Sequence, residues 1–198
     1  MKMITLIIVG ALSLISTLMF NNAAHAEDSY VSFNDKGELN RPMGFREWIF
    51  IGAPLTPNDM NNGKAAFPEF HSVYIDPASW AVWKTSGEFR DGTVIIKELI
   101  DVGSKKTFSG NGYFMGEYIG LEAMVKSKKR FPNADGNWGF FRFTTENHKG
   151  LKKRANVLPQ KACMSCHTPN AGYDNVFIQH YPVLRAARSK GEAGTGGK

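Results

Sequence analysis

Alternation of apolar and polar positions dominates the middle of the chain and predicts strands. Trp48-Ile49-Phe50-Ile51 is a short apolar run, and residues 69–76 carry Val73 and Ile75 on one side. Residues 93–100 are β-branched, as strands prefer. Their period of two puts Ile95, Lys97 and Leu99 on one face and Val94, Ile96, Glu98 and Ile100 on the other. Residues 113–126 form a longer mixed run, with Tyr118, Glu122 and Met124 on one face and Ile119, Leu121, Ala123 and Val125 on the other. Residues 138–144 are aromatic. Between these last two runs, Pro132, Asp135 and Gly136 mark a hairpin with a long connection.

Helical punctuation is clearest after residue 75. Asp76 is a cap, Pro77 suits the first turn, Gly87 suits the exit, and Trp80, Val82 and Trp83 supply an apolar stripe. Helices are also expected around residues 160–167 and from about 182 to 189. The sheet outweighs the helices. The expected fold is a single β-rich α+β domain on an antiparallel sheet, with a C-terminal helix carrying the motif described below. Residues 27–42 read as a polar lead-in, and residues 189–198 as a frayed tail.

Composition fits a globular domain: 198 residues, 42% hydrophobic and 21% charged, which excludes a disordered or polytopic chain. The first 26 residues form an export signal. Lys2 begins it, residues 4–20 are largely apolar, and Ala24-His25-Ala26 is a small-x-small cleavage pattern. The mature chain, residues 27–198, is then expected in a bacterial periplasm with a formal charge of +5, since only Lys2 among charged residues is lost. So modest a charge does not demand nucleic acid. The basic runs at 126–130 and 149–154 read as solvated loops that can steer an acidic redox partner.

Cys163-Met164-Ser165-Cys166-His167 is a C-x-x-C-H motif and holds both cysteines of the chain. Two thiols at this spacing add to the two vinyl groups of a porphyrin, and the following histidine ligates the iron from below. A zinc site would need further ligands of the same kind, and a dithiol redox pair would need a βαβ setting. One c-type heme is therefore expected, held by Cys163 and Cys166 with His167 as the axial ligand. No Met follows the motif. Met115 and Met124 fall on a strand and read as core. His71, His148 and His180 each suit a surface or hydrogen-bonded role better than ligation. The sixth iron position is expected to be open, which implies ligand chemistry rather than simple electron relay.

Two charged residues stand on apolar strand faces. Lys97 there is either a desolvated, nucleophilic amine or a side chain that reaches along its stem to water; the spacing by itself favours the second. Glu122 beside a heme pocket would be a general base with a carboxyl raised by burial, whereas a solvated strand glutamate is the plainer reading.

Taken in order, Asp91-Gly92-Thr93-Val94-Ile95-Ile96-Lys97-Glu98, Leu121-Glu122-Ala123-Met124-Val125-Lys126, Arg130-Phe131-Pro132, Trp138-Gly139-Phe140-Phe141-Arg142-Phe143 and the cysteine motif resemble the cytochrome P460 family over nearly the whole mature chain. The resemblance implies a homodimer of mostly antiparallel β fold, with one c-type heme per chain. It implies a lysine joined covalently to a heme meso carbon, and the matching position is Lys97. Lys105 and Lys106, after Gly103-Ser104, are the competing lysines and read as solvated. The implied activity is oxidation of hydroxylamine to nitrous oxide or nitric oxide, with a c-type cytochrome as electron acceptor. Glu122 matches the pocket carboxylate linked to turnover, and Phe67 is the expected aromatic of the distal pocket. The related cytochrome c′-β, a binder of nitric oxide and other gases, shares the fold without the lysine link; an electron-transfer cytochrome is the remaining alternative.

Overall fold

The computed structural model describes residues 30–146 and 150–192. The expected signal at 1–26, His148, Lys149 and residues 193–198 lie outside them.

Among the described residues, nine strands and three α-helices follow in order: β1 (Leu39–Asn40), β2 (Ile49–Gly52), β3 (Phe70–Ile75), α1 (Pro77–Ser86), β4 (Val94–Val102), β5 (Lys106–Thr107), β6 (Gly110–Asn111), β7 (Met115–Lys126), β8 (Trp138–Arg142), β9 (Arg154–Ala155), α2 (Gln160–Asn170) and α3 (Pro182–Glu192). Five strands make one sheet in the order β2-β3-β4-β7-β8, with every neighbouring pair antiparallel. The β-rich α+β domain expected from the alternation is the fold, and α2 carries the cysteine motif.

Helix α1 starts where its sequence directs. The Asp76 carboxylate accepts the backbone N–H of Ser79 with one oxygen and that of Val94 with the other, each at 2.8 Å. One buried side chain thus caps the helix and pins it to β4. Gly87 closes the helix at φ 68°, where a side chain would be strained. Trp83, fully buried, stacks on Phe89 at 4.3 Å and donates its indole N–H to the Leu184 carbonyl, which ties α1 to α3.

The sheet separates two cores. On one face Val73, Ile75, Ile95, Met124 and Phe140 pack with Trp83, Ile178 and Leu184, and Cys163, Met164 and Phe177 close over them. The opposite face packs Val94, Ile96, Leu121, Ala123, Val125 and Phe141 against Val31, Leu39 and Ala155. Residues 30–42 are therefore not a polar lead-in. Leu39 is fully buried, pairing through β1 with Ala155 of β9, and Phe33 meets Phe141 edge-on. Their few apolar positions, spaced among polar ones, are what cover this side of the sheet.

Other details depart from the strict alternation. The strand expected over 113–126 begins at Met115; Tyr113 instead donates its hydroxyl to Asp59. A register shift between Leu99 and Ile100 pairs Leu99 with Gly120 but Ile100 with Tyr118. This irregularity turns Tyr118 onto the face of Glu98, where the Arg46 guanidinium bridges the two, so Tyr118 does not share a face with Glu122. Lys126 is not a solvated loop residue: it is buried at the end of β7 and donates to the Gly136 carbonyl and to Asp174. Helix α3 runs on to Glu192, past its expected end.

Candidate functional site

The register of the sheet builds a row of side chains beneath α2. Val73 lies opposite Lys97, Lys97 opposite Glu122, and Glu122 opposite Arg142, across four adjacent strands. Directly opposed residues project to the same face. Their face is the one that the motif helix covers. Glu122 Oε2 lies 2.7 Å from Lys97 Nζ, and Oε1 accepts Arg142 Nε at 2.9 Å. Glu122 is the most buried charged group of this row, at 18% side-chain exposure.

Burial pushes the Glu122 carboxyl up, but Lys97 and Arg142 together outweigh it and hold the group below its ordinary value. The raised value expected from desolvation is thus reversed, because two cations reach the same carboxylate. The charged row is felt at the motif. Burial raises the Cys163 thiol and the Glu122 charge raises it further, while Arg142 and Lys97 oppose.

His167 stands on the last turn of α2 between two rings, Phe140 and Phe177, each with its centroid 4.8 Å away. Its Nδ1 lies 2.6 Å from the Asn175 carbonyl oxygen. A carbonyl only accepts, so Nδ1 carries the proton and Nε2 is left as the electron-pair donor, the arrangement common to metal-ligating histidines. Burial is the main cause that lowers the His167 pKa, against the opposing Asn175 bond, and this favours the neutral imidazole that binds iron.

What aims the Asn175 carbonyl was not visible in the sequence. Asp174 and Asn175 both have positive φ, 43° and 59°, in a tight turn bridged by Tyr173 and Val176. Asp174 is held from two sides, by Lys126 Nζ at 2.8 Å and by the Trp138 indole N–H at 3.3 Å. An Asp-Asn pair flags such a turn; that Lys126 and Trp138 anchor it needs the fold.

Phe67, the expected distal aromatic, lies beside the pair: Lys97 Nζ is 5.0 Å from its ring centroid. His71, opposite Leu99 on the Lys97 face, meets the same ring edge-on. The other lysines are elsewhere. Lys105 is paired with Asp59 at 2.7 Å in an exposed cluster, and Lys106 is exposed. His180 is exposed and stacks on Phe177. Met115 is half exposed and Met124 is core.

Cys163 and Cys166 are both free, one half-buried and one exposed, and no disulfide competes for them. Two thiols, a neutral imidazole aimed by a carbonyl, flanking phenyl rings and a charged pair on an otherwise apolar floor fit a covalently held heme. Among the described residues no group of three or more His, Cys, Asp or Glu is placed to hold a bare metal ion. No helix of the described residues is long and apolar enough to cross a membrane.

Compared with curated proteins, the chain matches none. Among protein families, the model described as Cytochrome P460 matches residues 42–178, which spans every residue of the site.

Proposed function

Because the chain belongs to the cytochrome P460 family and is a c-type cytochrome of that kind, we propose that it oxidises hydroxylamine to nitrous oxide or nitric oxide at a heme bonded to Cys163, Cys166 and Lys97. The observation that carries this reading is the Lys97–Glu122 pair, set in register on the sheet face that α2 covers. An electron-transfer or gas-binding cytochrome has no need of a lysine and a base held together on its pocket floor.

His167, aimed through Nδ1, would hold the heme iron through Nε2. When bound, heme would supply the redox chemistry, with a c-type cytochrome as the external electron acceptor. Two hydroxylamine molecules give one nitrous oxide and one water, with four protons and four electrons to remove. Glu122 takes a proton from the substrate within hydrogen-bond reach. Its depressed basicity in the Lys97 ion pair is the obstacle. Were the Lys97 nitrogen bonded to the heme as a neutral amine, its ammonium charge would be gone, and burial would be opposed at the Glu122 carboxyl by Arg142 alone. Arg142 remains to orient it. Phe67, itself partly exposed, sets its ring beneath the Lys97 ammonium at this edge.

The leader pattern at 1–26 and the need to attach heme outside the cytoplasm support export to the periplasm, with the mature chain beginning at Glu27. The family resemblance supports a homodimer.

The optical spectrum of purified holoprotein tests the reading together with a hydroxylamine oxidation assay. A displaced ferrous Soret band with turnover supports it. An ordinary high-spin c-heme spectrum without turnover would make the protein a gas binder of the cytochrome c′-β kind, and a low-spin spectrum would make it an electron carrier.

A further inference from the structure

Four buried side-chain atoms among the described residues lack a hydrogen-bond partner: His71 Nε2, Ser79 Oγ, Arg90 Nε and Gln160 Oε1. His71 is the one beside the Lys97 wall. The register sets it opposite Leu99, next to the Val73–Lys97 pair on the same face. The Phe67 ring joins the two groups, with its centroid 5.8 Å from the His71 ring and 5.0 Å from Lys97 Nζ.

Glu69 completes the arrangement. Its Oε1 lies 3.6 Å from His71 Nε2, longer than a hydrogen bond and within ion-pair reach of the ring. Burial pushes the Glu69 carboxyl up, but the nearby His71 and Lys97 outweigh it and keep the group below its ordinary value. Glu69 also lines a cavity of about 330 Å³ bounded by Pro57, Asn58, Asp101, Lys105 and Ile119. The charged groups around His71 are thus Glu69 beside it and Lys97 on β4, with Asp101 and Lys105 across the cavity. The sequence Lys97, Phe67, His71, Glu69, cavity runs from the pocket floor outward.

We propose that His71, oriented by Glu69, is a second proton-transfer group of the pocket and carries protons from it to the cavity. The proposal rests on the hydroxylamine reading, which must dispose of more protons than one carboxylate can hold. His71 takes a proton from the pocket at its other ring nitrogen and releases one from Nε2 toward Glu69 and cavity water, so the ring changes tautomer and keeps its charge. Its oxidation state does not change. Glu69 is a positioning residue that fixes the ring.

Cyanide binding to ferric holoprotein provides a readout independent of hydroxylamine. Hydrogen cyanide must surrender its proton to bind as the anion, so the association rate follows the base in the pocket. The wild-type rate should rise with pH through a single ionisation. His71→Gln and His71→Phe should lose it and bind at least about tenfold more slowly at neutral pH. Added imidazole should restore part of the rate to His71→Phe, and Glu69→Gln should move the ionisation. Decay of the hydroxylamine-bound holoprotein in a single turnover should slow by a similar factor. If His71→Phe does not fold, His71→Gln and Glu69→Gln decide the matter. An unchanged cyanide pH profile in a His71→Gln protein of normal heme content and spectrum would overturn the proposal. So would a low-spin wild-type spectrum that turns high-spin in His71→Gln, because His71 would then be an iron ligand. Wild-type protein inert to hydroxylamine, but with the His71-dependent cyanide profile, would refute the hydroxylamine reading and leave the base in place.

Discussion

Lys97 Nζ lies 2.7 Å from Glu122 Oε2 because the two residues stand directly opposite each other in the β4–β7 ladder. Antiparallel pairing, not a flexible loop, fixes their separation. A one-residue slip of either strand would send one of them to the other face. The bulge that flips Tyr118 lies before Glu122 in the chain, on the far side of Gly120, so the Lys97–Glu122 pair keeps its register.

Replacing Lys97 by Leu is expected to leave a folded holoprotein with an ordinary c-heme spectrum and little hydroxylamine oxidation. Mass analysis of wild-type proteolytic fragments should find the extra heme bond on the peptide containing Lys97. A bond on Lys105 or Lys106 would contradict the assignment, and their exposed positions away from Glu122 argue against it.

Glu122→Gln keeps size and the possibility of hydrogen bonds to Lys97 and Arg142 while removing basicity. Heme content and hydroxylamine binding should survive, and single-turnover oxidation should fall about 10²–10⁴-fold. Oxidation at the wild-type rate would mean that the base lies elsewhere. Glu122→Ala should also lose thermal stability, because it leaves two cations beside an apolar floor without their anion.

Asp174→Ala removes the anchor of the turn that aims the Asn175 carbonyl at His167. The buried Lys126 ammonium then keeps the Gly136 carbonyl and the Trp138 ring but no anion, a loss of about 3 kcal/mol measured by denaturant unfolding. Weakening the Nδ1 hydrogen bond makes the imidazole a poorer donor to iron. The iron–histidine stretching frequency should fall and the heme potential should rise, whereas an unchanged frequency would separate Asp174 from the axial ligand.

Burial alone pushes the Tyr181 hydroxyl up to about 12 from its ordinary 10.0. A raised folded-state value means that the stabilisation is present below the unfolded value and is lost as pH rises from about 10 through about 12. Two pH units correspond to about 2.7 kcal/mol. Between those pH values the stability of wild-type protein should fall more steeply than that of Tyr181→Phe. Parallel curves would show that phenolate formation at Tyr181 is not linked to unfolding.

The sequence by itself determined the main strands, the first helix with its caps, and the chemistry of the Cys163–His167 motif. Each depends on short-range pattern: a period of two, a capping carboxylate, or thiol spacing. It also singled out Lys97 and Glu122 as charges on apolar faces, although spacing alone favoured the solvated reading of each. Tertiary structure decided what periodicity cannot contain. Strand pairing set Lys97 against Glu122 and brought Arg142 to the same carboxylate, reversing the shift that burial alone would give. A bulge turned Tyr118 over, and long-range packing drew the apparently polar residues 30–42 onto the sheet. Lys126, read as a loop cation, became the buried support of the turn behind His167. These outcomes depend on partners far along the chain, and side-chain electrostatics follows the partners, not the residue's own sequence neighbourhood.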